Sequence, residues 1–145
     1  MFEKSARFLL GGVLIGYNST VFAYGATGAG KTYTMLGTLT RPGIMGLTFQ
    51  QLFKMINTYS RDKDFKITMS YLEIYNECIK DLLSHSGDVL DLREDPNKGV
   101  TVAGINEIVA SSAEEVLALL QLGNRNRTVE ATNANETSSR SHAVL

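Results

Sequence analysis

The segment Gly25-Ala26-Thr27-Gly28-Ala29-Gly30-Lys31-Thr32 restricts this chain more than any other feature of its sequence. It fits G-x-x-x-x-G-K-[ST], the pattern of a loop that wraps phosphate oxygens with inward-pointing backbone N–H groups. Side chains would block that approach, so Gly25, Gly28 and Gly30 supply room and permissive dihedrals. Lys31 reaches the β- and γ-phosphates as a mobile positive charge, and Thr32 offers a hydroxyl to Mg²⁺. The flanks suit the pattern. Thr20-Val21-Phe22-Ala23-Tyr24 is a short apolar run between Asn18 and Gly25 that reads as a buried strand. A helix is expected from Lys31, adding the positive end of its dipole. By average glycine usage, a chance match in a chain of 145 residues is on the order of one in a few hundred.

Length and composition narrow the classes further. A chain of 145 residues, 43% apolar, has the size and the apolar content of one domain with a core. A formal net charge of −1 argues against a dedicated nucleic-acid binder, which is normally basic. Cys78 is the sole cysteine, so no internal disulfide framework exists, and a reducing, cytosolic setting fits. No apolar run approaches the roughly 18 residues of a membrane span, so no transmembrane helix and no membrane partner are expected. Met1-Phe2-Glu3-Lys4-Ser5 lacks the features of a signal peptide.

Along the chain, Phe2, Ala6, Leu9 and Val13 recur at helical steps, which predicts a helix over residues 2–14. Residues 37–43 hold two glycines and a proline and interrupt the helix after the glycine loop. It resumes from Ile44, with Phe49, Leu52, Phe53 and Ile56 as its buried face. Residues 66–75 form the best strand pattern, and residues 76–83 read as a short helical turn. Residues 89–94 and 100–109 look like a hairpin joined by Asp95-Pro96-Asn97-Lys98-Gly99. Ser112-Ala113-Glu114-Glu115 is a capping box opening a helix that ends near Gly123, with Ala113, Val116, Leu117 and Leu120 facing inward. Residues 124–142 are polar and aperiodic, and such a stretch inside a compact domain is more often functional than idle.

The glycine loop alone does not choose among ATPases, GTPases and kinases. Such proteins also use an aspartate at the end of a second strand to hold the Mg²⁺ shell. Asp91 and Glu73 imitate it, but Asp91 lies in the expected hairpin and Glu73 lies within a strand, so both read as structural. A GTPase would carry Asn-Lys-x-Asp, and Asn97-Lys98-Gly99-Val100 lacks the aspartate.

A second constellation lies near the C-terminus. Asn135-Glu136-Thr137-Ser138-Ser139-Arg140-Ser141-His142 gathers hydroxyls, an arginine and a histidine. Hydroxyls of this kind ligate a metal or orient water, and an arginine stabilises charge or latches to a carboxylate. A solvated Ser- and Asn-rich loop is the alternative, and the one composition alone would favour. The segment resembles the first switch loop of kinesin motors. The glycine loop and its approach, Gly16-Tyr17-Asn18-Ser19-Thr20-Val21-Phe22-Ala23-Tyr24-Gly25, resemble the kinesin strand leading into its P-loop. Ser70-Tyr71-Leu72-Glu73-Ile74-Tyr75-Asn76-Glu77 with Ile79-Lys80-Asp81-Leu82-Leu83, and Gly123-Asn124-Arg125-Asn126-Arg127, resemble two further kinesin segments. The resemblance covers essentially all 145 residues in the family's order. It is most similar to the kinesin-eight class, through Arg93-Glu94-Asp95, Lys98-Gly99-Val100 and Ser141-His142-Ala143-Val144.

The resemblance implies an α/β fold of the P-loop NTPase type, with a central, mixed, largely parallel sheet flanked by helices, and residues 1–145 as part of one motor domain. It implies an ATP-driven microtubule motor of the cytoplasm and cytoskeleton, with ATP and Mg²⁺ bound and tubulin as partner. Residues 25–32 would bind the phosphates. Ser138 and Ser139 would sit near Mg²⁺ and the attacking water, Thr32 and Ser139 serving the metal. Arg140 would pair with a glutamate of the second switch, and Asn135 would help hold the first switch. Tyr33 stands where many kinesins set a ring against adenine, a core or surface tyrosine being the alternative. His142 would anchor the loop, Cys78 would pack, and Lys98 would touch the microtubule or simply be solvated. The family's second switch, Asp-Leu-Ala-Gly-Ser-Glu, its main microtubule-docking helices and its adenine-cradling Arg-x-Arg-Pro are not in this sequence. The expectation is therefore a partial motor domain, inactive and poorly soluble alone, whose complete protein dimerises through other elements. A truncated nucleotide-binding product without motor activity, or another P-loop NTPase, are the competing readings.

Overall fold

A computed structural model of the chain describes residues 1–38, 40–60, 63–84, 86–97, 99–127 and 141–145. The chain divides into two compact units, Met1–Lys66 and Ile67–Leu145.

The first unit is built from helices. Phe2–Ser5 (α1) and Leu9–Leu14 (α2) replace the single helix expected over residues 2–14. The hydrogen-bond ladder slips between them. The amides of Ala6 and Arg7 both donate to the Phe2 carbonyl, at 3.1 and 3.2 Å, while that of Leu9 reaches back only to Ala6, at 3.1 Å. The buried face consequently runs Phe2, Ala6, Leu10, and Val13 of the expected face is exposed. Lys31–Leu36 (α3) follows the glycine loop, and Ile44–Tyr59 (α4) follows the expected interruption. Across that interruption Gly37 bridges Pro42, and the Thr38 amide donates to the Arg41 carbonyl at 2.8 Å. Ile44 of α4 closes the core on Phe2, Ala6 and Leu10, with Met35, Leu47, Leu52 and Met55 packed around them. Of the face expected for α4, Ile56 is buried and Phe49, Leu52 and Phe53 are half-buried.

The strand expected over residues 20–24 forms no ladder among the described residues, and Phe22 and Tyr24 are 78% and 95% exposed. An apolar, aromatic run becomes a buried strand only beside a neighbouring strand. The described part of this unit offers none, its one bridge being Gly37 to Pro42.

The second unit carries the sheets. Its elements are Thr68–Met69 (β1), Leu72–Tyr75 (β2), Cys78–Asp81 (β3), Val89–Asp95 (β4), Gly99–Ala103 (β5), Ile108–Val109 (β6), Ala113–Asn126 (α5) and Ser141–Val144 (β7). β1 pairs with β6, and the other strands form a five-stranded sheet in the order β5-β4-β3-β2-β7. The strand expected over residues 66–75 thus changes partners at Ser70 and Tyr71, where the Ser70 hydroxyl donates to the Asn106 carbonyl at 2.8 Å. The helical turn expected over residues 76–83 is instead a hairpin. Asn76 and Glu77 have φ of 48° and 63°, and Tyr75 pairs with Cys78 across them. Positive φ at both central residues matches the right-handed twist of the flanking strands. β3 then ends at Asp81, whose carboxylate accepts the amides of Leu83 at 2.8 Å and Asn106 at 2.9 Å.

The hairpin of β4 and β5 is where the sequence places it, with Asp95 opposite Gly99. Its second strand stops at Ala103, because Gly104 turns the chain with φ of 81°, and Ile108–Val109 pairs with β1 instead. Mixed helix and sheet are as expected for the fold class. Every strand pair named among the described residues is antiparallel, the parallel part of the expected sheet being an expectation for the complete domain. Short turns such as Asn76-Glu77 can join only antiparallel strands, whereas parallel ones need a crossover of about a dozen residues.

The capping box of α5 forms. The Ser112 hydroxyl accepts the Glu115 amide at 3.2 Å, and the Glu115 carboxylate accepts the amide of Ser111 at 2.6 Å. The helix passes Gly123 and ends at Asn126, burying Ala113, Val116, Leu120 and Gly123, with Leu117 half-buried. Among the described residues no helix is long and apolar enough to cross a membrane.

Candidate functional site

The glycine loop owes its path to two backbone conformations. Gly28 and Gly30 have φ of 82° and 81°, in the left-handed region where a side chain is strained. Gly30 is also the residue before α3, and no side chain caps that helix start. The Thr34 amide closes the first turn onto the Gly30 carbonyl at 2.9 Å, and the Ala29 amide closes the loop onto Ala26 at 3.1 Å. Residues 25–30 are exposed along their whole length, so the loop is accessible to a ligand from solvent.

Lys31 folds back across this loop. Its Nζ donates to the carbonyls of Gly25 at 2.8 Å and Ala26 at 2.9 Å. Carbonyl dipoles orient an ammonium without neutralising it, and none of the ion pairs among the described residues involves Lys31. A glycine-rich loop with a cation of this kind has the chemistry that suits an anion. Beside it opens a cavity of about 320 Å³ lined in part by Val21, Phe22, Tyr24, Ala29, Lys31 and Met35. A larger hollow of about 480 Å³, lined in part by Phe2, Leu47 and Lys54, shares no residue with the glycine loop. Ala26 and Thr27 lie within the exposed loop, and the Thr32 side chain is exposed. Tyr33 is 55% exposed, which sets aside a core role for it.

Asn135, Ser138, Ser139, Arg140 and Lys98 lie outside the described residues. Ser141 and His142 are described and are strand residues: in β7, Ser141 pairs with Tyr75 and His142 with Ile74. His142 is exposed there, so it is a ladder residue and not a loop anchor. Cys78 is half-buried, as a packing residue would be, and its thiol is free.

The two carboxylates that imitate a metal-holding aspartate are accounted for differently. Asp91 is exposed and lies 3.6 Å from Arg93. Glu73 is 1% exposed and is the centre of a polar network that residue-by-residue reading missed. Arg127 Nε lies 3.3 Å from its Oε1, Arg127 Nη2 donates to the Ser141 hydroxyl at 2.8 Å, and that hydroxyl donates to the same Oε1. The neighbouring residues are fastened as well. The Tyr71 hydroxyl donates to Asn124 Oδ1 at 2.9 Å, and Asn126 Nδ2 donates to the Leu82 carbonyl at 2.8 Å. The available signal was a glutamate at the centre of the apolar run Leu72-Glu73-Ile74, two residues after a tyrosine on the same strand face.

The family model for the kinesin motor domain matches residues 1–145. The chain belongs to the kinesin motor domain family. It is 54% identical over 145 residues to kinesin-like protein KIF19 of Homo sapiens, covering 100% of this chain and 14% of that protein. Kinesin-like protein KIN-8B of Arabidopsis thaliana is 51% identical over 142 residues, with 98% of this chain and 18% of that protein covered. These relatives, with the KIF18 proteins, place the kinesin chain in the kinesin-8 class that its hairpin and C-terminal residues suggest. Among solved structures it is similar to a KIF14 dimer in a two-heads-bound state with AMP-PNP in complex with a microtubule. The TM-score there is 0.89 at 39% identity, covering 98% of this chain and 41% of that one. A structure of a fast kinesin matches with a TM-score of 0.89 at 42% identity and the same coverage, 98% and 41%.

Proposed function

We propose that the complete protein is an ATP-driven microtubule motor and that this kinesin chain supplies the grip on the triphosphate of its MgATP substrate. One observation carries the reading: in residues 25–32 of a kinesin-family chain, an exposed glycine loop holds the Lys31 ammonium on the Gly25 and Ala26 carbonyls, and among the described residues no carboxylate pairs with it. The amides and Lys31 hold the phosphate oxygens. Thr32, exposed at the start of α3, supplies a hydroxyl for the metal that travels with the nucleotide, and Ser139 supplies another. Ser138 and Arg140 serve the attacking water and the closed state, and Asn135 steadies the loop that carries them. Tyr33, exposed beside the loop, is available to a nucleotide base.

The KIF14 structure, with AMP-PNP on a microtubule, supports both partners for the complete protein. The kinesin-8 identity supports the same reading, in which the activity is exerted on microtubules of the cytoplasm. The exposed run over residues 20–24 would then be a sheet strand of the complete domain, and dimerisation would use segments beyond residues 1–145.

Steady-state ATP hydrolysis by the complete protein, with and without microtubules, tests the proposal. Stimulation by microtubules, lost in Lys31→Ala, is the expected result. Turnover that ignores microtubules, or that prefers GTP, would favour a different P-loop enzyme.

A further inference from the structure

We propose that Glu73 is a positioning residue for nucleotide hydrolysis, acting by tying together the two residues that flank residues 128–140. The inference rests on the reading of that segment as the first switch.

Three observations carry it. The first is placement. Arg127 is the residue at the C-terminal end of α5, and Ser141 is the first residue of β7, so they bracket the segment in sequence. The second is convergence. Both side chains meet one oxygen of Glu73, and they also meet each other, at 2.8 Å from Arg127 Nη2 to the Ser141 hydroxyl. The third is burial. Glu73 is 1% exposed, and the Arg127 side chain is 23% exposed. A carboxylate removed from water to that degree is stable only with charge and hydrogen-bond partners, so the three groups hold one arrangement and resist others.

The register explains why this glutamate reaches that serine. In the β2–β7 ladder, Ser141 stands opposite Tyr75 and Ala143 opposite Glu73. Glu73 and Ser141 are therefore diagonal neighbours on one sheet face, within reach of a long side chain. Arg127 arrives from the helix. Asn124 on Tyr71 and Asn126 on Leu82 fix the same last turn of α5. Both ends of the segment are thus attached to one buried atom of the sheet. Glu73 thereby fixes the point where the chain leaves α5, at Arg127, relative to the point where β7 begins, at Ser141, and hydrolysis is proposed to depend on that fixed spacing. Glu73 touches no substrate in this account and works through Arg127 and Ser141.

The test is carried out on the complete protein with Glu73→Gln, Arg127→Lys, Ser141→Ala and the double variant Glu73→Gln/Arg127→Lys. Readouts are microtubule-stimulated kcat, affinity for a fluorescent ADP analogue, and the thermal melt. The expected result is a kcat lower by on the order of tenfold or more in Glu73→Gln. Nucleotide affinity should stay within about twofold, because residues 25–32 are untouched. The double variant should be no slower than the worse single, as for groups acting as one unit. Arg127→Lys and Ser141→Ala keep the question decidable if Glu73→Gln does not fold, and each should lower kcat without lowering nucleotide affinity.

Unchanged kcat in the folded variants would overturn the proposal. So would losses that follow the melting temperature alone, or single effects that simply add. Wild-type protein without turnover, or turnover indifferent to Lys31→Ala, would instead remove the switch reading on which the proposal stands.

Discussion

Gly123 lies so close to the ring of Tyr71 that a Cβ built on it would stand 2.3 Å from Cδ1 and 2.8 Å from Cε1. Tyr71 is itself buried, at 2% exposed, and its hydroxyl is held by Asn124. The absence of a side chain at this one helical position is what lets α5 settle against the sheet. Gly123→Ala would gain helix propensity and still lose stability, because overpacking of this kind costs about 1–3 kcal/mol. Urea denaturation of the two chains should show a lower midpoint for the variant with an unchanged m-value.

Tyr71 also makes the contact pH-sensitive. Burial pushes its phenol above the ordinary 10.0; the nearby Arg127 guanidinium opposes the rise and Glu73 adds to it. As pH climbs past 10.0, the unfolded chain releases this proton while the folded chain keeps it. The unfolded state then binds fewer protons, so stability falls with rising pH until the folded group also titrates. Tyr71→Phe should lose about 1 kcal/mol at neutral pH, from the hydrogen bond to Asn124, and show a shallower alkaline decline. Denaturation midpoints on either side of pH 10.0 measure both effects.

Much of this was legible in the residues because its signals are local. The capping box at Ser112, the interruption over residues 37–43 and the hairpin about Asp95 and Gly99 each depend on a few adjacent residues, and each is present. What escaped depends on partners distant in sequence. The apolar run at Val21 and Phe22 cannot be a strand without a neighbour, and no composition rule supplies one. Gly123 reads as a helix terminator because glycine usually ends helices, yet the close approach of Tyr71, far earlier in the chain, is what requires it. Glu73 reads as merely structural because neither Arg127 nor Ser141 lies near it in sequence. The glycine loop is the opposite case, since its residue types at fixed spacing already state its geometry.

The turn at Asn76-Glu77 offers a test of that distinction. Asparagine tolerates a left-handed conformation, whereas glutamate at φ of 63° is strained. Glu77→Gly should therefore stabilise the hairpin of β2 and β3, by about 1 kcal/mol, despite removing a charged side chain. A raised melting temperature would agree, and a lowered one would mean that the glutamate side chain contributes more than its backbone costs.

Residues 25–32 must grip a triphosphate if this chain serves an ATP-driven motor. Titration of the chain with a fluorescent ATP analogue, with and without Mg²⁺, measures this directly, alongside Lys31→Ala. Saturable, Mg²⁺-dependent binding weakened on the order of a hundredfold by Lys31→Ala is the predicted result. Binding of equal strength in the two chains, or displaced as readily by free adenosine as by ATP, would contradict it.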